Sequence, residues 1–113
     1  MDTKTNMAAS IKTYNKLVRD NIPEIMKAAG KSCETRSISG DELVDALKTK
    51  LLEELAEFDE KHDAEELADM LEVVLSLASA IGLNTIELER IRQRKAERNG
   101  AFLKGIFLVS GEV

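Results

Sequence analysis

Acidic side chains recur at one-turn spacing in two neighbouring segments of this sequence. The first segment, Glu53-Glu54-Leu-Ala-Glu57, and the second, Glu66-Leu-Ala-Asp69, each hold a pair of carboxylates three residues apart. On an α-helix, such residues lie one turn apart on the same side, as joint coordination of an ion requires. Four convergent carboxylates repel one another, and Mg²⁺, a hard cation that also carries substrate phosphates, relieves that repulsion. The spacing therefore predicts a metal site formed by Glu54, Glu57, Glu66 and Asp69.

Each acidic segment also has an ordinary structural interpretation. Glu-Glu-x-x-Glu alone is typical of a solvated, ion-paired helix face, and Glu66 could complete a capping box that begins at Asp63. Asp69 could pair with an arginine, but it lies in a stretch, 67–81, whose only other charged residue is Glu72. An ionised carboxylate in such an apolar helix is costly unless it is paired or binds a cation. Glu53, predicted to face solvent, and Glu72 are candidates for a supporting role behind the ligands.

Two helices joined by a short connection would bring the acidic segments together. Ser39 and Glu42 have the spacing of a capping box and predict a long helix over about 41–61. Its predicted apolar stripe consists of Leu43, Leu47, Leu51, Leu55 and Phe58. Asp63 can cap the next helix, over about 64–81, which is apolar nearly all round and is therefore expected to be buried nearly all round. Antiparallel packing of the two helices then places the carboxylate pairs near each other.

Two further helices flank this hairpin. Asn84 and Glu87 have the spacing of another capping box and predict a helix that continues to about residue 98. Pro23 suits the first turn of a short helix over about 23–29, with Gly30 as a left-handed cap.

The remaining segments have no helical periodicity. Residues 1–10 are predicted to be a disordered leader, 11–18 a strand or extended arm, 31–39 a weak strand or extended loop, and 102–109 a terminal strand or tail. Residues 11–113 are expected to form one domain. Its fold class is all-α, a bundle of about four helices built on a helical hairpin, with short extended segments at the N-terminus and C-terminus.

Composition excludes several classes of protein. The 113 residues are 43% hydrophobic and 33% charged, which is typical of a globular domain. A net charge of −5 argues against a general nucleic-acid binder, and no apolar run approaches the roughly 20 residues of a membrane span. Cys33 and His62 are the only cysteine and histidine, so an internal disulfide is excluded and a Cys/His zinc site is improbable. These features favour a cytoplasmic protein without a nucleic-acid or membrane partner.

Cationic side chains are the expected companions of such an acidic site. Lys50 lies one turn before Glu54 on the same edge of its helix and could contact a substrate phosphate. The fourth helix carries most of the basic cluster, which could also be a solvated face that complements the helix C-terminus. Lys16 and Arg19, before the first helix, are the other candidates for phosphate or ribose contacts.

The sequence resembles the all-α MazG-like nucleoside triphosphate pyrophosphohydrolases, and most closely their phosphoribosyl-ATP pyrophosphohydrolase-like subgroup. The mark of that superfamily is E-x-x-E on one helix and E-x-x-D on the next. The matching blocks are Tyr14-Asn-Lys-Leu-Val-Arg-Asp20 with Ile22-Pro23, Lys50-Leu-Leu-Glu-Glu-Leu-Ala-Glu-Phe58, Glu66-Leu-Ala-Asp-Met-Leu-Glu72 and Lys95-Ala-Glu-Arg-Asn-Gly-Ala-Phe102. The last block singles out Lys95 and Arg98 as phosphate contacts.

The resemblance implies Mg²⁺-dependent cleavage between the α- and β-phosphates of a nucleoside triphosphate, with Mn²⁺ as a substitute metal. The products would be a nucleoside monophosphate and pyrophosphate, and the four acids would be the catalytic metal ligands. The resemblance also implies a homodimer or higher homo-oligomer, as does an apolar helix that one short hairpin covers poorly. Two alternatives stay open: phosphoribosyl-ATP hydrolysis in histidine synthesis, and a non-catalytic helical module that binds nucleotides or a protein.

Overall fold

Helices are the regular elements of the chain. A computed structural model describes residues 10–113, so the predicted leader lies outside the described residues except for Ser10. The helices are α1 (Ile22–Ala28), α2 (Gly40–Lys61), α3 (Ala64–Ala80) and α4 (Thr85–Asn99). Residues 10–113 contain no strand, which confirms the all-α fold class. The chain divides into two compact units, the first ending at Ile38 and the second beginning at Ser39.

The first unit contains α1, whose ends follow from local chemistry. Pro23 lies in its first turn, where the missing amide hydrogen is no loss. Gly30 has a φ of +77°, and the amides that follow the helix donate to the carbonyl oxygens of Lys27 and Met26. The flanking segments 11–18 and 31–39 are not strands, which leaves the extended-arm and loop alternatives.

The second unit begins with the long helix α2. Ser39 occupies the N-cap position in an extended conformation, but its side chain makes no capping hydrogen bond, so the predicted capping box is wrong. The next residue, Gly40, has a left-handed φ of +60°. We attribute the missing bond to this turn, which changes the angle at which the chain enters the helix. At the other end His62 adopts the left-handed conformation, and its amide donates to the carbonyl oxygen of Phe58 at 2.8 Å.

The caps of α3 and α4 confirm the sequence predictions. The Asp63 carboxylate accepts a hydrogen bond from the amide of Glu66 at 3.3 Å, and α3 starts directly after it. Asn84 and Glu87 form a reciprocal capping box, with side chain to amide distances of 2.8 and 3.0 Å. Between α3 and α4 the chain bends by 110°, and Gly82 takes a φ of +91° at the turn.

The hairpin of α2 and α3 forms the core of this unit, and α4 packs against α3. Among the described residues the buried apolar side chains are Leu47, Val73 and Ala78. Leu55 was predicted to lie on the buried stripe, but it is 46% exposed, whereas the side chain of Lys50 is only 19% exposed. The face of α2 that meets α3 is therefore rotated away from Leu55 toward the acidic edge.

Helix α3 was predicted to be buried nearly all round, and within one chain it is not. Leu67, Leu71 and Val74 are 50%, 59% and 37% exposed. The segment 102–109 forms no strand and is also exposed, which leaves the tail alternative. Within residues 10–113, no single helix is long and apolar enough to cross a membrane; α3 and α4 pass that test only as a bent pair, by length and composition.

Candidate metal site

Three of the four predicted carboxylates converge where α2 and α3 pack together. Glu54 comes from the middle of α2, and Glu66 and Asp69 come from the first turns of α3. One carboxylate oxygen from each of the three lies within 4.8 Å of those of the other two. The connection between the helices is only His62 and Asp63, so the end of α2 and the start of α3 must be adjacent. The predicted convergence is thus present for these three residues.

Glu66 is the charged residue that lies deepest in the described part of the chain, with 7% of its surface exposed. A hydrogen bond to the side chain of Asp63 raises its pKa, and burial and the negative charges of Asp63 and Asp69 act in the same direction. The positive charge of Lys61 opposes this shift. Without a cation, the pKa of Glu66 is therefore held above its ordinary value mainly by Asp63 and by burial.

Lys50 is the positive charge nearest to Glu54. Its Nζ lies 3.7 Å from Oε1 of Glu54 and 3.5 Å from Oε1 of Glu53. The Glu54 side chain is 12% exposed, so this pair is largely shielded from water. Glu53 was predicted to face solvent, and its side chain is 37% exposed although it contacts Lys50. Lys50 is thus placed at the edge of the acidic cluster, as its spacing from Glu54 predicts.

Glu57, the fourth predicted ligand, does not belong to the converging group. Its Oε2 lies 3.2 Å from Nζ of Lys61, one turn further along α2. The hydrogen bond and the charge of Glu57 raise the pKa of Lys61. The Glu57 side chain is 45% exposed and directed along its own helix. A change of side-chain rotamer, with loss of this ion pair, would be needed to bring Glu57 to the other three acids.

The three converging carboxylates fit a hard divalent cation. With Mg–O bonds of about 2.1 Å, octahedral ligand oxygens are ~3.0 Å apart when adjacent and ~4.2 Å apart when opposite. Oxygens within 4.8 Å of one another therefore need to move by little more than one ångström. An all-oxygen donor set favours Mg²⁺, Mn²⁺ or Ca²⁺ over zinc, which prefers nitrogen and sulfur.

The other predicted site residues are exposed and belong to both units. Glu72, Lys95 and Arg98 are exposed on α3 and α4. Lys16 and Arg19 are exposed in the first unit, where Nζ of Lys16 is 5.9 Å from the ring centroid of Tyr14. These positions leave their predicted contacts with phosphate untested.

Two features of the site were missed at the sequence level. One is the contact between the side chains of Glu66 and Asp63, which the spacing of a capping box could have indicated. The other is the capture of Glu57 by Lys61, which the i, i+4 spacing of glutamate before lysine could have indicated. Both contacts are local, and both change which acids are available to a metal.

A shallow concavity lies at the turn between α3 and α4. It is lined by Leu75, Ser79, Gly82, Leu83, Asn84, Thr85 and Glu87. From Asp69 to Ser79 the helix rises by about 15 Å, so this concavity is separate from the acidic cluster. It contains no convergent group of acids, and we give it no role.

No protein-family model matches the chain, and no solved structure matches it significantly. A protein of Mycolicibacterium smegmatis, itself uncharacterised, is 51% identical over 41 residues, which are 36% of this chain and 42% of that protein. The match spans less than half of either chain.

Proposed function

We propose that this chain is a Mg²⁺-dependent nucleotide pyrophosphohydrolase. The observation that carries the proposal is the convergence of Glu54, Glu66 and Asp69, whose ligand oxygens lie within 4.8 Å of one another. Glu66 is buried there with a raised pKa, so the site gains from a positive charge. The resemblance of the acidic blocks to MazG-like enzymes supports the same assignment.

Each charged group then has a part in the reaction. Glu54, Glu66 and Asp69 would hold the metal, which when bound supplies charge neutralisation for the phosphates and a lowered pKa for a water molecule. Lys50, at the edge of the acids, would contact a phosphate oxygen. Glu57, one turn from Glu54 and outside the three ligands, would have to leave Lys61 before it could accept a proton from the attacking water.

The reaction adds one water molecule across a phosphoric anhydride bond. The water oxygen forms a new bond to phosphorus, the bond between phosphorus and the bridging oxygen of the α–β linkage breaks, and one proton is released. A nucleoside triphosphate thus gives a monophosphate and pyrophosphate. We also propose a homodimer as the working form, because a face of α3 stays exposed in the single chain.

The test is the release of pyrophosphate from a panel of nucleotides, including phosphoribosyl-ATP, with Mg²⁺ and with chelator. We expect monophosphate and pyrophosphate with Mg²⁺ only, and loss of turnover in Glu66→Gln. Glu65→Gln is the matched control, since Glu65 is exposed on the same turn of α3 and lies outside the converging group. Release of only orthophosphate and a nucleoside diphosphate would rule out α–β cleavage. Nucleotide binding without turnover would instead favour a non-catalytic module.

A further inference from the structure

One cation lies between two glutamates at the edge of the acidic cluster. Lys50 is followed one turn later by Glu53 and Glu54, which lie roughly 60° to one side of it and roughly 40° to the other around α2. Its Nζ donates a hydrogen bond to Oε1 of Glu53 at 3.5 Å and forms an ion pair with Oε1 of Glu54 at 3.7 Å. The Lys50 side chain is 19% exposed, so the hairpin shields the ammonium from water. Two carboxylates of the same helix therefore hold this one cation.

The two glutamates differ in what else they can bind. Glu54 is one of the three converging acids, so a divalent cation would bind the same carboxylate that attracts Lys50. Glu53 lies outside the converging group, and its side chain is 37% exposed, against 12% for Glu54. A cation on Glu54 would weaken the hold of that carboxylate on the ammonium, because the two positive charges repel each other. Glu53 would keep both its charge and its contact with Lys50.

We propose that Glu53 is a positioning residue, which retains Lys50 beside the acids when a metal ion binds Glu54. This inference rests on the proposed function, and it gives Glu53 a part in binding the phosphates rather than in the chemical step. A lysine ammonium has three N–H donors, and one of them bonds to Glu53. Once Glu54 has turned to the metal, the others are left for phosphate oxygens near that metal.

Without Glu53, the ammonium would have two other arrangements. It would stay on Glu54 and compete with the metal, or it would turn into solvent, because a lysine side chain is long and flexible. Either arrangement removes a positive charge from the place where the phosphates would lie. Neither changes the carboxylates that would hold the metal. Loss of Glu53 should therefore weaken the binding of a phosphate chain and leave the turnover of bound substrate nearly unchanged.

Calorimetric titration of the full chain with inorganic tripolyphosphate in Mg²⁺ tests this role. Tripolyphosphate has the phosphate chain but no base, so the result does not depend on which nucleotide the protein prefers. We expect Glu53→Ala and Lys50→Met each to weaken its binding by about three- to tenfold, as loss of part of one charge-assisted hydrogen bond predicts. The matched control is Asp45→Asn, which breaks the exposed i, i+3 ion pair with Lys48 on the same helix and should keep the full affinity.

The double variant shows whether Glu53 acts through Lys50. If it does, Glu53→Ala should have little further effect in the Lys50→Met background, so that the two losses are not additive. Additive losses would overturn the proposal, because Glu53 would then act without the lysine. Alanine and methionine both favour helix, and circular dichroism melts should show that each variant is folded.

Glu53→Gln separates positioning from proton transfer. The amide oxygen of the new side chain can still accept the hydrogen bond from Lys50, but it cannot take a proton from water as a carboxylate can. The proposal predicts that Glu53→Gln retains most of the affinity that Glu53→Ala loses. With a nucleotide substrate, Glu53→Ala should raise KM while kcat changes by less than about twofold. An equal fall of kcat in both variants, with KM unchanged, would make Glu53 a proton acceptor and overturn the proposal.

The same titrations distinguish failure of this inference from failure of the proposed function. A wild type that binds neither Mg²⁺ nor tripolyphosphate would overturn both. A wild type that binds both, with unchanged affinity for tripolyphosphate in Glu53→Ala, would overturn only the role of Glu53.

Discussion

Replacement of Asp69 by asparagine separates a metal site from a structural ion pair. The substitution keeps the shape of the side chain and removes one of the three converging charges. If the acids bind Mg²⁺, the variant should lose most of the stabilisation by the metal but should fold well without it. If instead Asp69 mainly neutralises a buried cation of the protein, the variant should be strongly destabilised, because that cation is left unpaired.

The magnitudes of the two outcomes differ enough to measure. Two carboxylates 4.8 Å apart repel each other by between about 0.9 and 3.5 kcal/mol, for dielectric constants of 80 and 20. Asp69→Asn relieves this repulsion with Glu54 and should raise the melting temperature in chelator by a few degrees. At a hundredfold excess over its dissociation constant, Mg²⁺ should stabilise the wild type by about 2.7 kcal/mol, or roughly 10 °C. A site weakened by about a hundredfold would retain only ~0.4 kcal/mol of this.

The assay is a set of thermal melts in Mg²⁺ and in chelator. Asp59→Asn is the matched control: it removes the same charge from an exposed position near the end of α2, outside the converging group. We expect the control to keep the full Mg²⁺ shift. An unpaired buried cation that costs ~3 kcal/mol predicts a variant that melts about 10 °C below the wild type in chelator. That result would refute the metal site if the melting temperature of the wild type is also the same with and without Mg²⁺.

Three other predictions concern the groups around the site. Because the pKa of Glu66 is raised in the folded protein, its protonated form contributes stability that is fully present below the ordinary pKa of 4.5 and is lost as pH rises through the raised pKa. Urea titrations should therefore show that Glu66→Gln becomes more stable relative to the wild type as pH rises. A difference that does not change with pH would contradict this. Lys61→Met should free Glu57 and tighten Mg²⁺ binding in calorimetry, whereas unchanged affinity would show that Glu57 does not join the site. Lys95→Ala and Arg98→Ala should raise KM while stability changes by less than about 0.5 kcal/mol, and unchanged kinetics in both would move the phosphate contacts off α4.

The helices could be predicted from the sequence because their ends depend on neighbours within about four residues. Asn84 and Glu87 form their capping box with each other, and Asp63 caps α3 through the amide of Glu66. The failure at Ser39 has the same local character, since the left-handed residue that follows it was not foreseen. Predicted and observed helix bounds accordingly differ by no more than one residue.

The buried face of α2 could not be predicted in the same way, because it depends on the partner helix. Hydrophobic periodicity placed Leu55 on the buried stripe, but α3 packs against the edge that carries Lys50 and Glu54. Paired charges can occupy such an edge when each has a partner, and a count of apolar residues does not detect that pairing. Glu57 illustrates the same limit, since its rotamer is decided by Lys61 rather than by the helix face on which it lies.

The acids of α3 and its exposed apolar face lie on different sides of the helix. With 100° per residue, Glu66, Asp69 and buried Val73 are grouped about one direction, and exposed Leu67, Leu71 and Val74 are centred roughly 130° away. A second copy seated on Leu71, as in the proposed homodimer, would therefore leave the acids open to a nucleotide. It would also cover the face of α3 that one hairpin cannot bury. Because the sides are separate, Leu71→Lys should dissociate the dimer without erasing the stabilisation by Mg²⁺.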